Sequence, residues 1–188
     1  INNTNILLEC STGTGKSKLA LDKLNQWYQK YTPTLFSSNK ILIVIPRLVL
    51  IQNWKDEFIK WGYEKYLPQV EFVTYVSLPK LHRTNWFLVI YDEAHHISDR
   101  CQLVIPYIKS NYNILLSATI KRTLKPRLFN LFPKLHVYKI SLVDAIENNA
   151  EGLDSIKELA DWINNHGTTV TGLTEAIEKN AEDIIANT

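Results

Sequence analysis

Short apolar runs alternate with longer amphipathic stretches along most of the chain. Ile41–Ile45 is apolar at every position, which is typical of a strand that is buried on both faces of a parallel sheet. The strands predicted from such runs are Asn5–Glu9, Ile41–Ile45, Val70–Tyr75, Trp86–Tyr91, Asn113–Ser117 and Val137–Ile140.

Between these strands, apolar residues recur at helical spacing. The helices predicted in this way are Lys16–Tyr31, Arg47–Trp61, Ser77–His82 and Asp99–Lys109, the last of them broken or kinked near Pro106. Regular alternation of strands and helices predicts an α/β fold, in which a parallel sheet carries helices on both faces. In such sheets ligands bind beyond the carboxyl ends of the strands, so residues that follow the strands are the first candidates for function.

From residue 141 onward the pattern changes to helical stretches alone. We therefore expect two parts, a domain at residues 1–140 and an acidic helical tail or linker at residues 141–188. Charge divides the chain in a similar way. The first 150 residues hold 19 Lys and Arg against 11 Asp and Glu, whereas the remainder holds two against eight. A basic body suits a polyanionic partner, although a solvated surface would look the same. The tail is interpreted as a linker or partial second domain, with a helical pair that docks on a partner as the alternative.

Composition excludes several classes of protein. Hydrophobic residues make up 45% and charged residues 21% of the 188, as in a globular chain. No apolar run approaches the ~18 residues of a membrane span, and we expect an intracellular protein with no membrane partner. The two Cys are expected to be reduced. The chain opens without an initiator Met or a signal peptide, which suggests a piece of a longer protein.

A glycine-rich loop follows the first predicted strand and precedes the first predicted helix. Glycines let the backbone turn so that its N–H groups point at phosphate oxygens. A Lys in this loop supplies positive charge for the β- and γ-phosphates, and the next hydroxyl is a ligand for Mg²⁺. The loop is therefore expected to bind ATP and Mg²⁺ through Thr12, Gly13, Thr14, Gly15, Lys16 and Ser17.

Two adjacent carboxylates follow the fourth predicted strand. Asp92 can hold Mg²⁺, and Glu93 can polarise the water that attacks the γ-phosphate, so the pair divides metal binding from general-base chemistry. Lys16 and Glu93 are the predicted catalytic residues, and Ser17 and Asp92 the predicted metal ligands. We expect the strand before Asp92 to neighbour the strand before the loop. The adjacent His95 and His96 lack the spacing of a zinc protease motif.

These residues resemble the superfamily 2 helicases and translocases, in particular the group with an Asp-Glu-Ala-His box. In that family the phosphate loop reads AxxGxGK[ST], and Cys10 is a small-residue variant of its first position. The resemblance covers residues 4–140 and implies the first RecA-like, P-loop domain of an ATP-dependent motor. It assigns nucleic-acid backbone contacts to Pro46, Arg47 and Gln52. It assigns coupling between nucleotide and nucleic acid to His95, Ser117 and Thr119.

The wording of two motifs favours DNA over RNA as the partner. Gln52–Phe58 (QNWKDEF) and Asp92–His96 (DEAHH) are similar to the duplex-DNA translocases. That group includes restriction-enzyme motor subunits, chromatin-remodelling-like motors and viral or phage helicases, so a phage or viral origin fits. Other interpretations remain open at this stage. Ser117–Thr119 is a common tripeptide, and Arg47 could cap a helix. Trp54 and Trp61 suit a core better than base stacking. The basic residues that follow Ser117–Thr119 could contact phosphates or form a solvated helix face; they are Lys121, Arg122, Lys125 and Arg127.

The resemblance also implies a second RecA-like domain, whose Gln-x-x-Gly-Arg-x-x-Arg motif completes the nucleotide site. This sequence lacks that motif. We therefore expect the chain alone to bind ATP but to hydrolyse it poorly, because such an Arg contributes about 10³–10⁵-fold to turnover in related phosphoryl-transfer enzymes. The alternatives are a nucleotide-dependent scaffold module and a P-loop ATPase without nucleic-acid activity.

Overall fold

A six-stranded sheet, parallel throughout, forms the centre of the fold. The computed structural model describes residues 4–11, 13–30, 38–81 and 84–140. The strands are β1 (Thr4–Cys10), β2 (Ile41–Ile45), β3 (Val70–Thr74), β4 (Asn85–Tyr91), β5 (Lys109–Ser117) and β6 (Leu135–Ile140). Their order across the sheet is β3-β2-β4-β5-β1-β6. The predicted parallel α/β fold is confirmed.

The order of the strands corrects one expectation. The phosphate loop follows β1 and the carboxylate pair follows β4, but these strands are not neighbours, because β5 lies between them. Ser117 pairs with Glu9 across β5 and β1, and Leu115 pairs with Tyr91 across β5 and β4. The segment that follows β5 therefore lies between the two other motifs at the carboxyl edge.

Helices cover both faces of the sheet, as predicted. They are α1 (Lys16–Lys30), α2 (Leu50–Lys60), α3 (Asp99–Val104) and α4 (Lys125–Leu131). On one face α1 and α2 bury Leu24 and Phe58 against β2 and its neighbours. On the other face α3 and α4 bury Cys101 and Leu128. All five residues of β2 are buried because both cores contact this strand, which explains its uninterrupted apolar run.

The helix predicted at Asp99–Lys109 is wrong in its second half. It ends at Val104, Ile105–Tyr107 forms a single 3₁₀ turn, and Lys109 already belongs to β5. Pro106 lacks an N–H and crowds the preceding turn, so it ends the α-helix rather than bending it. The short helix predicted from Ser77 is a 3₁₀ turn at Leu78–Leu81.

The polar beginning of β5 was not predicted, because it has no apolar run. Its buried polar side chains are paired within β5 and with β1: Ser110 donates to Asn113, which donates to Asn5 on β1. Asn5 in turn donates to the carbonyl oxygen of Pro133. Buried polar groups carry little penalty when they are paired in this way.

Helix α4 was not predicted. It begins with Lys125-Pro126, where proline suits a first helical turn. Among the described residues, no helix has both the length and the apolar character needed to cross a membrane. The tail predicted at residues 141–188 lies outside the described residues, so the predicted division of the chain into two parts stays a prediction.

Candidate functional site

The loop between β1 and α1 has the backbone geometry of a phosphate cradle. Gly13 and Gly15 have φ angles of +84° and +76°, which other residues adopt only with strain. A Cβ added to Gly13 would meet nothing within 4 Å, so the space beside the loop is open. Thr14 Oγ1 donates to the carbonyl oxygen of Ser11 at 2.7 Å and closes the turn. Thr12, also predicted to bind ATP, lies outside the described residues.

Lys16 begins α1 and folds back over the loop. Its Nζ donates to the carbonyl oxygen of Cys10 at 3.2 Å, so the ammonium group already lies beside the end of β1. Ser17 occupies the second position of the same helix, as the predicted pattern requires. The residues fit a phosphate group with its metal ion: an open, positively charged loop leads into a helix that starts with Lys and Ser.

Asp92 is held from two directions at the end of β4. Trp54 Nε1 on α2 donates to Asp92 Oδ2 at 2.9 Å. The hydroxyl group of Tyr75 donates to the backbone oxygen of Asp92 at 2.8 Å. The Asp92 side chain therefore cannot rotate without losing the indole bond.

Burial raises the pKa of the Asp92 carboxyl group above its usual value. The indole N–H of Trp54 opposes this shift, the charge of Glu93 adds to it, and the charge of Lys16 opposes it. The electrostatic effect of Lys16 shows that the loop and the carboxylate pair, although separated by β5, lie near enough to interact.

Glu93 has a left-handed backbone conformation, with φ of 49°, which is unusual for a residue other than glycine. Its Oε2 lies 3.2 Å from His95 Nδ1, and the same nitrogen lies 3.1 Å from Ser117 Oγ. Ser117 donates its own proton to the carbonyl oxygen of Thr119. We infer that Nδ1 carries a proton and donates it, because both of its neighbours are then acceptors.

Glu9, at the end of β1, connects the base of the phosphate loop to the segment after Ser117–Thr119. Its Oε1 accepts from the backbone N–H of Ile120 at 3.3 Å, and its Oε2 lies 3.5 Å from Lys125 Nζ and 3.6 Å from Lys139 Nζ. Burial alone would raise the pKa of Glu9. The Ile120 N–H and the two ammonium groups outweigh burial, and the pKa is lowered overall.

The residues predicted to contact nucleic acid lie on the loop after β2 and on α2. Pro46 is partly buried, whereas Arg47 and Gln52 are exposed. Arg47–Val49 form a turn, and α2 begins only at Leu50, three residues later than predicted. Gln52 Nε2 donates to Asp56 on the next turn of α2 at 2.8 Å.

The basic cluster after Ser117–Thr119 divides into two groups. Lys125 bonds to Glu9, and Arg127 pairs with Asp99 on α3, so both act within the domain. Lys121 and Arg122 are exposed. The interpretation of Trp54 as a core residue is confirmed by its 3% exposure. Trp61 is partly buried and lies between Lys18 and Lys60.

Comparison with known proteins agrees with this geometry. The sequence model of the family described as "Type III restriction enzyme, res subunit" matches residues 1–81. The helicase domain of Hef from Pyrococcus furiosus aligns with 72% of the chain at 15% identity, with a TM-score of 0.53. The fold of the chain is therefore the RecA-like fold of such helicase domains.

Two structures from Sulfolobus solfataricus are also similar to this domain. The SWI2/SNF2 ATPase core in complex with dsDNA aligns with 73% of the chain at 15% identity, with a TM-score of 0.51. The SWI2/SNF2 ATPase core domain aligns with 68% at 20% identity, with a TM-score of 0.52. The chain spans 35%, 40% and 30% of the three matched structures, Hef first. It therefore spans less than half of each of these structures.

Three residues that shape this site were missed from the sequence. Trp54 was assigned to the core alone, but its N–H also holds Asp92. Thr74 and Tyr75 lie where the family resemblance places a further nucleic-acid contact motif, which does not predict the bond from Tyr75 to Asp92, and Glu9 was not singled out. Glu9 did carry a signal, since a carboxylate at the end of an apolar strand needs a partner.

The raised pKa of Asp92 leads to a prediction about the stability of this domain. Asp92→Asn keeps an oxygen for the Trp54 N–H but removes the buried charge. We expect it to increase the free energy of unfolding at pH 7 by about 0.5–2 kcal/mol, the range of stabilising changes at functional sites. Urea unfolding measures this free energy.

The pH dependence of the Asp92→Asn effect has a defined sign. In the folded state Asp92 binds a proton more tightly than in the unfolded state, so its contribution to stability falls as pH rises through this window. The gain from Asp92→Asn should be full above the raised pKa and should shrink toward pH 4. A gain that grows as the solution is acidified would contradict the raised pKa.

Proposed function

We propose that this domain binds ATP with Mg²⁺ and contacts a nucleic-acid strand as the first domain of an ATP-dependent helicase or translocase. One observation carries the proposal. His95 Nδ1 is within hydrogen-bonding distance of both Glu93 and Ser117, so the predicted catalytic carboxylate and the segment after β5 share one side chain. A fold that used ATP only as a structural ligand has no need of this link.

The residues divide the chemistry of phosphoryl transfer among them. The backbone of Gly13 and Gly15 receives the phosphate oxygens, and Lys16 exchanges its bond to the Cys10 carbonyl oxygen for one to the phosphates. Mg²⁺, when held through Ser17 and Asp92, neutralises charge on the phosphates. Glu93 accepts the proton of the attacking water, which it can do while its other oxygen bonds to His95.

Coupling to nucleic acid runs through the segment after β5. Ser117 bonds to His95 and Thr119, and the next residue, Ile120, bonds to Glu9 beside the phosphate loop. A displacement of this segment therefore alters both ends of the nucleotide site. Contact with the nucleic-acid strand is assigned to Pro46, Arg47 and Gln52, which lie on the loop after β2 and on α2.

We further propose that DNA is favoured over RNA and that a second RecA-like domain completes the motor. The similarity to an ATPase core that is described in complex with dsDNA supports the first point. The share of the matched structures that the chain spans supports the second. On this proposal, the chain by itself binds ATP and hydrolyses it slowly.

Oligonucleotide binding tests the proposal most directly. We expect fluorescent single-stranded and duplex oligonucleotides to bind to the chain, with an affinity that falls linearly on a log–log plot against salt. Each phosphate contacted on a single strand should contribute about −0.7 to the slope, and Arg47→Ala should remove about one such contribution. Fluorescence anisotropy at several salt concentrations measures this slope.

Oligonucleotide binding and ATP hydrolysis together separate the two alternatives from the proposed function. A P-loop ATPase without nucleic-acid activity binds ATP but no oligonucleotide at low salt. A scaffold module binds nucleotide, yet Glu93→Gln leaves its residual hydrolysis unchanged. Either result would overturn the proposed motor function.

A further inference from the structure

A cavity of about 280 Å³ opens at the carboxyl edge of the sheet, away from the phosphate loop. It lies between the loop after β2, the segment after β3 and the beginning of α3, and it is lined by Pro46, Tyr75, Val76, His96, Ser98 and Arg100. Among these, Pro46 lies in the motif assigned to nucleic acid, and Tyr75 lies where the family resemblance places a further such motif. His96, Ser98 and Arg100 follow the carboxylate pair and have no role in the chemistry described above.

Arg100 supplies the positive charge of the cavity lining, which contains no carboxylate. The nearby acids are already engaged: Asp92 accepts from Trp54, Glu93 contacts His95, and Asp99 pairs with Arg127. Arg100 is exposed and makes no hydrogen bond or ion pair with a described residue. An exposed guanidinium group at a cavity wall, with no carboxylate partner, is suited to binding an anionic ligand.

Arg47 extends the same cationic surface from the other side. The pKa of His96 is lowered, first by burial and then by the charge of His95, and Arg47 lowers it further while Glu93 and Asp92 act in the opposite direction. Pro46, the residue before Arg47, lines the cavity, so the loop that carries the Arg47 guanidinium group forms part of the cavity wall. The predicted backbone contact and the cavity therefore adjoin each other.

Apolar side chains border this cationic surface. Val76 is 80% exposed, and Leu48 and Val49 are 66% and 72% exposed. Exposed aliphatic groups beside cationic ones match a nucleic-acid strand, whose phosphates alternate with sugars and bases. A small free anion would gain nothing from the apolar border.

We propose that Arg100, with His96 beside it, binds a phosphate group of the nucleic-acid strand next to the phosphate contacted by Arg47. This inference rests on the proposed function and adds a contact that no motif assigns. Ser98 is a positioning residue: its Oγ accepts from the backbone N–H of Cys101, which fixes the first turn of α3 and the direction of Arg100. The guanidinium fork of Arg100 suits two phosphate oxygens at once.

The test compares Arg100→Ala with Lys109→Ala, each of which removes one exposed positive charge. Lys109 begins β5 at the opposite, amino edge of the sheet, so it controls for net charge. We expect Arg100→Ala to weaken the binding of a single-stranded oligonucleotide about two- to fivefold and to make the salt slope shallower by about 0.7. Lys109→Ala should leave the slope unchanged. Arg100→Lys should restore the slope, because the charge returns, but only part of the affinity.

The outcomes separate this inference from the proposed function. If the unsubstituted chain binds no oligonucleotide, both are overturned. If the unsubstituted chain binds and Arg100→Ala behaves like Lys109→Ala, only the Arg100 contact is overturned. The Arg100 contact is also overturned if polyglutamate displaces the oligonucleotide as well as a competing oligonucleotide of equal charge does. A urea midpoint for Arg100→Ala equal to that of the unsubstituted chain shows that the comparison concerns binding and not folding. If Arg100→Ala is unstable, Arg100→Gln replaces it with the same expected slope.

Discussion

Glu93→Gln is expected to reduce ATP hydrolysis by about 10²–10⁴-fold, the usual contribution of a general base. Gln keeps the size of the side chain and an oxygen that can accept from His95, but it cannot take a proton from water. ATP binding should be unchanged, because Glu93 does not belong to the phosphate loop. Single-turnover hydrolysis of labelled ATP, with protein in excess and oligonucleotide present, detects the slow rate expected of this chain.

Glu71→Gln is the matched control for Glu93→Gln. Glu71 is exposed on β3, the edge strand that is farthest from the phosphate loop in the sheet order. The control should retain the full rate. Hydrolysis by Glu93→Gln at the rate of the control would remove Glu93 from the mechanism, whereas loss of ATP binding would assign it to the nucleotide pocket instead.

Lys16→Ala is expected to weaken ATP binding about 10- to 150-fold, which corresponds to about 1.5–3 kcal/mol for a hydrogen bond to a charged group. The ammonium group lies at the end of β1, bonded to the Cys10 carbonyl oxygen, and would approach the phosphates from there. Removing it leaves the backbone cradle of Gly13 and Gly15 without its positive charge. Titration with a fluorescent ATP analogue in Mg²⁺ measures the affinity.

Lys23→Ala supplies the control on the same helix. Lys23 is exposed on α1, and its Nζ bonds only to the neighbouring Gln26 among the described residues. Its replacement should leave the affinity for ATP unaltered, although it removes the same net charge. Equal affinities for the Lys16→Ala and Lys23→Ala proteins would show that the loop does not hold the phosphates through Lys16.

The strands were predictable where burial restricts the types of residue that a segment can contain. β2 was predicted with its observed bounds, because a strand buried on both faces admits only apolar residues. The beginning of β5 was not predictable, because its polar residues are stabilised by a bond to Asn5, which is distant in sequence and itself donates to the carbonyl oxygen of Pro133. The order of the strands was not predictable either, since the placement of β5 between β1 and β4 depends on long-range pairing.

The sequence by itself determined which residues carry the candidate chemistry. Glycines that require positive φ, a Lys that begins a helix and a carboxylate pair at a strand end are local features, and local features can be read along the chain. The parallel fold then implied that they meet at one edge of the sheet.

Only the tertiary structure decided what surrounds each of these groups. Trp54 bonds to Asp92 across 38 residues, His95 contacts Ser117 across 22, and Lys125 reaches Glu9 across 116. Such partners are chosen by the packing of helices on the sheet, which no local pattern encodes. The same packing places Arg100 beside the loop of Arg47, and thereby extends the predicted nucleic-acid surface beyond its motifs.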